Sequence, residues 1–255
     1  MKYVVANWKM NPLTFLEAFR LATEIINEFD AFTTKTRVVI CPPSPFLNVF
    51  DQAWNRETPK PFAIGAQDCS EFISGAHTGD VSASQLEDFC QYIIVGHSER
   101  RVNHNETDQI INQKIKNVLS LNLTPIFCFG EPIAFRDVST GALTSFGISF
   151  IKKQLDEGLN SILKIDQSKI IFAYEPIWAI GTGTVATTEQ IEEVYNLVRL
   201  HLFEISPIIL YGGSVTINNI NNLIKTSSNG FLVGGASLNV DDFMRIVRIT
   251  HETIA

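Results

Sequence analysis

Glu175 is the residue of this chain best placed to act as a catalytic base. It follows the apolar, strand-like stretch at residues 170–174, and a stiff proline, an apolar tip and two glycines come directly after it, at residues 176–184. A segment that is rigid at one end and glycine-rich at the other is typical of a lid over a site. A carboxylate shielded from water is a stronger base toward a carbon acid. The alternative is an ordinary strand-to-helix loop with a surface glutamate.

Two further side chains that could do chemistry follow other apolar runs. Lys9 comes after the first run, where its charge would stabilise a dianionic substrate and a developing enediolate. His97 comes after the fourth run and leads into a helical segment, whose N-terminus favours a neutral imidazole able to donate a hydrogen bond. Each residue alone has a plainer interpretation, as a solvated surface lysine and as a buried structural histidine.

Two glycine pairs near the end of the chain are candidate phosphate cradles. Gly212 and Gly213 follow the seventh apolar run, and Gly234 and Gly235 follow the eighth. Glycine lets backbone N–H groups approach an anion, and the N-termini of the following helices add partial positive charge. Either pair alone is more typical of a tight turn, but both pairs at matching positions favour a phosphate site.

The elements that must position these groups are eight short apolar runs, each followed by a helix-like segment. The runs are continuous rather than alternating, which predicts strands covered on both faces, as in a parallel sheet. The predicted strands are residues 3–6, 38–41, 62–65, 92–95, 125–129, 170–174, 208–211 and 231–233.

The intervening segments have helical periodicity. One stripe is Ile191, Val194, Val198 and Leu202, and another is Ile148, Ile151, Leu155 and Ile162. Capping boxes are predicted at Ser84 with Glu87 and at Thr187 with Gln190. Eight strand–helix units predict an α/β fold, a single (β/α)8 barrel with a parallel eight-stranded core, formed by residues 1–255 as one catalytic domain. A doubly wound open sheet is the structural alternative.

Composition limits the partners and the compartment. The formal net charge is −7 with no basic stripe, so we expect no nucleic-acid partner and expect any phosphate ester to be bound by local groups. The four cysteines are far apart and form no C-x-x-C pair, which favours a reducing cytoplasm over a disulfide framework or a zinc site. The N-terminus becomes polar too early for a signal peptide, and no apolar run approaches the ~20 residues that span a bilayer. We therefore expect a soluble, cytoplasmic protein.

Five ordered strings at predicted strand ends resemble the triosephosphate isomerase family, and the match runs nearly end to end. They are ANWKMN at 6–11, GHSERR at 96–101, YEPIWAIGTG at 174–183, YGGSV at 211–215 and VGGASL at 233–238. The resemblance implies an aldose–ketose isomerase of glycolysis and gluconeogenesis. Such an enzyme interconverts dihydroxyacetone phosphate and D-glyceraldehyde 3-phosphate through an enediol(ate).

The resemblance also implies roles for individual residues. Glu175 would be the base, His97 the electrophile and Lys9 the electrostatic stabiliser, with Asn7 aiding orientation of the substrate. The segment 176–184 would close over the site, with Tyr211 and Ser214 latching it. The backbone N–H groups that bind phosphate would be those of Gly181, Ser214, Gly234 and Gly235. No metal, nucleotide or organic cofactor is implied. Glu99, Arg100 and Arg101 are interpreted as an ion-pair network that anchors their loop.

The family pattern further implies a homodimer, in which the loop at residues 68–79 inserts into the partner through Thr78. The alternative is an exposed loop on a monomer. Several positions depart from the pattern, namely Thr184 at the end of the lid, His77 within the loop, Asp80 directly after it, and the segment from Pro132 to Gly141. They leave the lid kinetics, the dimer strength and the role of that segment open. The redox sensitivity of Cys128 is also open, although a packed core thiol is favoured.

Two other functions remain to be weighed. Another phosphate-binding barrel enzyme, such as a sugar isomerase of amino-acid biosynthesis, would share the late glycine pairs but would not require the Glu-Pro-Ile-Trp lid. A catalytically silent homologue, acting as a binding or scaffolding protein, would be expected to have lost the base, the electrophile or the lid glycines. All of these are present in the sequence.

Overall fold

Eight parallel strands pair in chain order, and the last pairs with the first to close a barrel. The computed structural model describes residues 1–30, 35–54, 59–181 and 183–253. The strands are β1 (Tyr3–Asn7), β2 (Arg37–Cys41), β3 (Ala63–Ala66), β4 (Tyr92–Val95), β5 (Thr124–Phe129), β6 (Ile171–Tyr174), β7 (Ile208–Tyr211) and β8 (Gly230–Val233). Each predicted strand agrees with the observed one to within a residue at either end. Closure of the sheet rules out the doubly wound alternative.

Helices follow the strands and pack around the barrel. They are α1 (Phe15–Asp30), α2 (Val49–Ala53), α3 (Ala83–Leu86), α4 (Ser98–Asn103), α5 (Asp108–Ser120), α6 (Ser145–Gly158), α7 (Lys164–Gln167), α8 (Thr188–His201), α9 (Ile220–Leu223) and α10 (Val240–Glu252). Short 3₁₀ turns lie at Ser44–Phe46, Ile133–Phe135, Ile177–Ala179 and Gly235–Leu238. None of the helices in the described ranges has both the length and the apolarity that crossing a bilayer requires.

Alternate residues of each strand serve two different cores. In β4, Ile93 and Val95 pack outward against the helices, whereas Ile94 points into the barrel. All three side chains are fully buried. This double burial is the physical reason that the strands are continuous apolar runs.

Local helix signals were predicted with mixed success. The capping box of Thr187 and Gln190 is confirmed at the start of α8. The box predicted at Ser84 is wrong, because Ser84 lies inside α3 and Ser82 caps that helix together with Gln85. Ile162, predicted to continue the apolar stripe of α6, lies in the loop after the helix ends.

Candidate active site

One cavity at the carboxyl ends of the strands contains every predicted site residue. Its volume is ≈ 270 Å³. The predicted residues that line it are Asn7, Lys9, His97, Glu175, Gly181, Ser214, Gly234 and Gly235. They come from the ends of β1, β4, β6, β7 and β8. The barrel therefore brings together groups up to 228 residues apart in sequence.

Glu175 is held rigidly and is almost completely buried. Its backbone N–H donates to the carbonyl of Phe129 at 2.8 Å, and only 2% of its side chain is exposed. Its Oε2 accepts the backbone N–H of Ser98 at 3.0 Å. Its Oε1 accepts no hydrogen bond from any residue within the described ranges. A buried carboxylate oxygen without a donor is costly for folding, and here it is free to take a proton.

His97 lies at the N-cap of α4, as the sequence predicted. Its Nδ1 accepts the backbone N–H of Glu99 at 3.2 Å, so in the neutral ring the proton is carried by Nε2. Nε2 lies 3.3 Å from Oε1 of Glu175, outside the alignment of a hydrogen bond. The ring therefore presents an N–H donor to the cavity, next to the unpaired carboxylate oxygen.

Lys9 adopts a backbone conformation that is uncommon for a side-chain-bearing residue. Its φ is +54°, in the left-handed region. Its backbone N–H donates to Oδ1 of Asn7 at 3.0 Å, and its carbonyl accepts Nε2 of Gln67 at 2.8 Å. These two side chains stabilise the turn that directs Lys9 toward the cavity. Gln67 carried no signal in the sequence, because its contact with Lys9 spans 58 residues.

The ion pairs of the loop after β4 differ in part from the prediction. Arg100 pairs with Asp68 and Glu106 at 2.9 and 2.8 Å, which confirms that it takes part in an anchoring network. Arg101 likewise pairs with an acidic side chain, that of Asp108 on α5.

Glu99 does not belong to this network. Its Oε1 instead contacts Nζ of Lys9 at 2.5 Å. The lysine ammonium is therefore held at the mouth of the cavity by a carboxylate from a different strand end.

The glycine-rich turns leave open backbone around the far side of the cavity. A Cβ at Gly235 would meet no atom within 4 Å, and one at Gly181 likewise, where φ is +69°. At Gly212 a Cβ would lie 3.0 Å from Cγ of Glu175. The absence of side chains thus provides both space for a ligand and close approach to the carboxylate. Thr182 of the predicted lid lies outside the described residues.

Comparison with known proteins agrees with this geometry. A sequence model of the triosephosphate isomerase family matches residues 2–250. The chain belongs to the triosephosphate isomerase family. Proteins named triosephosphate isomerase from Herminiimonas arsenicoxydans and Chloroherpeton thalassium are 40% and 38% identical to it, over 97% of this chain and 98% of each relative. The protein of that name from Hydrogenovibrio crunogenus is 40% identical over 98% of both chains.

Membership of the triosephosphate isomerase family gives no support to the alternative of a different phosphate-binding barrel enzyme. The predicted lid, residues 176–184, has a hydrogen bond near its start and another just beyond its end. Trp178, in the first turn of the lid, donates its indole N–H to Oε1 of Glu131 at 3.2 Å. At the other end, the N–H of Ala186 lies 3.4 Å from the hydroxyl of Tyr211. The start of the predicted lid is thus bonded to the loop after β5, and the chain just beyond its end is bonded to β7.

The segment from Pro132 to Gly141 contributes a buried cation behind the lid. Only 1% of the Arg136 side chain is exposed, and its Nε donates to Glu131 at 2.7 Å. Its other nitrogens donate to the Tyr174 hydroxyl at 3.0 Å, to the Gly141 carbonyl at 2.8 Å and to Glu193 at 3.1 Å. Sequence reasoning missed this arrangement, because two of the partners, Tyr174 and Glu193, lie 38 and 57 residues from Arg136 along the chain.

Proposed function

We propose that this chain interconverts dihydroxyacetone phosphate and D-glyceraldehyde 3-phosphate. The observation that carries the proposal is the position of two groups in the cavity. The buried Oε1 of Glu175 has no hydrogen-bond partner among the described residues, and Nε2 of His97, which carries a proton in the neutral ring, lies 3.3 Å from it. A base and an electrophile at this separation suit proton transfer at a carbon beside a carbonyl group.

The proposed reaction begins when Glu175 removes a proton from the carbon next to the carbonyl of the ketose. His97 donates a hydrogen bond through Nε2 to the carbonyl oxygen and moves protons between the two substrate oxygens. The electron pair of the broken C–H bond forms the double bond of the enediol(ate), whose charge Lys9 stabilises. Return of the proton from Glu175 to the neighbouring carbon gives the aldose. Asn7 supports the step by holding the backbone of Lys9.

Phosphate binding is proposed for the backbone N–H groups of Gly181, Ser214, Gly234 and Gly235. Their support is the open backbone around the cavity and its position after β7 and β8, where barrels often bind phosphate. Closure of the lid would exclude water and protect the enediolate from loss of phosphate.

The first test is isomerisation of glyceraldehyde 3-phosphate, followed through a coupled dehydrogenase. The native protein is compared with Glu175→Ala and with the control Glu204→Ala, which removes an exposed carboxylate paired with Lys164. We expect turnover by the native protein and the control and a loss of ~10² or more in Glu175→Ala. A folded native protein without turnover would contradict the proposal. Tight binding of 2-phosphoglycolate separates an isomerase from a silent scaffold, since only an isomerase is complementary to the enediolate.

We also propose that the chain forms a homodimer through the loop at residues 68–79, with Thr78 inserted into the partner. Phe72 and Ile73 support this proposal, since they are 43% and 47% exposed in the single chain. The ring of Phe72 stacks on that of His77 with centroids 3.6 Å apart, which holds Phe72 against the tip of the loop.

Sedimentation velocity over a range of concentrations tests the dimer. Ile73→Asp should shift the protein to monomer, whereas the matched control Phe203→Asp, at a 75% exposed phenylalanine after α8, should not. A native protein that sediments as a monomer at every concentration would refute the dimer.

The single closed barrel supports the proposal that residues 1–255 act as one catalytic domain. The four cysteines are free and buried, which supports a reducing, cytoplasmic location. Cell fractionation with a compartment marker tests the location, and a single cooperative unfolding transition tests the domain.

A further inference from the structure

Gln154 on α6 makes a two-point contact that the proposed mechanism does not use. Its side-chain nitrogen donates to the carbonyl of Gly130 at 3.0 Å, and its side-chain oxygen accepts the N–H of the same residue at 3.0 Å. Gln154 is 4% exposed, so the contact is shielded from water. The side-chain amide therefore pairs with Gly130 as a neighbouring strand would.

Gly130 requires such a partner because of where β4 and β5 end. At the end of β5 the carbonyl of Phe129 accepts the N–H of Glu175 at 2.8 Å, and beyond the strand the carbonyl of Glu131 accepts the N–H of Ile177 at 3.1 Å. Backbone groups of successive residues in an extended chain point to opposite sides, so those of Gly130 point away from β6.

On that side β4 has already ended, at Val95. The N–H and the carbonyl of Gly130 would each cost ~1–3 kcal/mol if they were buried without a partner. Gln154 supplies both partners and so allows β5 to remain extended past its last ladder pair.

The peptide of Gly130 in turn fixes the backbone of Glu175. A Cβ placed on Gly130 would lie 1.8 Å from the carbonyl oxygen of Glu175 and 2.6 Å from its carbonyl carbon. No atom separates the two backbones, so a displacement of Gly130 is passed on to Glu175.

We propose that Gln154 is a positioning residue for Glu175. By pairing with Gly130 it holds the end of β5 against Glu175 and Ile177, and it thereby aligns the carboxylate with the substrate carbon. This inference rests on the proposed role of Glu175 as the base. Through Gln154, α6 contributes to catalysis from the outside of the barrel without contacting the substrate.

The first experiment compares Gln154→Met with Gln167→Met in the full chain. Gln167, on α7, is the matched control. It is also buried, and its side-chain nitrogen donates to the backbone carbonyl of Ile162 at 2.8 Å. Both substitutions should lower the unfolding midpoint. Well below that midpoint, kcat should fall by 10-fold to ~10² in Gln154→Met alone, the scale of loss for a misplaced catalytic group. KM should stay close to native, since the turns after β7 and β8 are untouched.

Gln154→Glu provides a second test if the methionine variant does not fold. A neutral carboxyl can still donate to the carbonyl of Gly130, whereas a carboxylate repels it. The ratio of its kcat to the native kcat should therefore fall as pH rises through the ionisation of the new side chain. A purely structural role would change stability without changing this profile.

The outcomes separate the inference from the function on which it rests. A native protein without isomerase activity overturns the proposed function and this inference together. An active native protein with native kcat in Gln154→Met, or with a Gln154→Glu profile parallel to native, overturns only the role of Gln154.

Discussion

Replacement of Gly130 by alanine should disable the enzyme through the backbone, without touching a side chain of the cavity. The new Cβ would lie 1.8 Å from the carbonyl oxygen of Glu175, where ordinary contact begins at 3.4 Å. The two backbones must therefore separate by about 1.6 Å. Since the N–H of Glu175 is bonded to the carbonyl of Phe129, the shift cannot be absorbed without moving Glu175, the proposed base, or breaking that bond.

The magnitude follows from the size of the shift. A misplacement of about 1 Å in a catalytic group costs ~10² in rate, which corresponds to ~2.7 kcal/mol of transition-state stabilisation. Overpacking of a close-packed interior costs a further ~1–3 kcal/mol of stability. We expect Gly130→Ala to fold with reduced stability and to lose ~10² or more in kcat.

The assay is steady-state isomerisation through a coupled dehydrogenase, normalised to folded protein by circular dichroism. Gly158→Ala is the matched control, because its Cβ would also clash, at 2.5 Å from the ring of Phe127, but on the helix side of β5. It should lose stability and keep its kcat. Native kcat in a folded Gly130→Ala protein would refute the coupling between Gly130 and the proposed base, Glu175.

Three further predictions follow from buried or hydrogen-bonded groups. Arg136→Met should lower the free energy of unfolding by about 3–5 kcal/mol in urea titration, because it leaves the Glu131 carboxylate buried without its cation. The control Arg248→Met, which breaks an exposed pair with Glu28, should lower the free energy of unfolding by less than ~1 kcal/mol. Equal losses in the two variants would contradict the argument. Hydrogen bonds from Ser139 and Thr140 lower the pKa of Asp137 to about 2. The ionised carboxylate therefore stabilises the folded protein above the ordinary pKa of an aspartate, and this stabilisation is lost as pH falls toward 2. Asp137→Ala should therefore be less stable than native at pH 7, with a smaller deficit near pH 2, and an equal deficit at both would be inconsistent. Burial, with a smaller effect of the Glu175 charge, raises the pKa of Cys128 well above its usual range, so iodoacetamide should label it only after unfolding; labelling of the native protein at the rate of a free thiol would argue against this.

Sequence reasoning failed where two local solutions were equally good or where the partner was distant. Ser84 with Glu87 and Ser82 with Gln85 have the same capping spacing, and the burial of Ala83 and Leu86 against the barrel selects the second. Periodicity could not show that the stripe of α6 ends before Ile162.

The sequence by itself determined the strands, the order of the elements and the candidate residues that line the cavity. Strands buried on both faces must be continuously apolar, and groups that act on a ligand must follow them at the carboxyl ends, so both signals are local. Only the tertiary structure decided which groups hold the site in place. The contacts of Gln67 with Lys9, of Glu99 with Lys9 and of Gln154 with Gly130 span 58, 90 and 24 residues. Such contacts depend on where the closed barrel places each loop, and no periodicity along the chain records that placement.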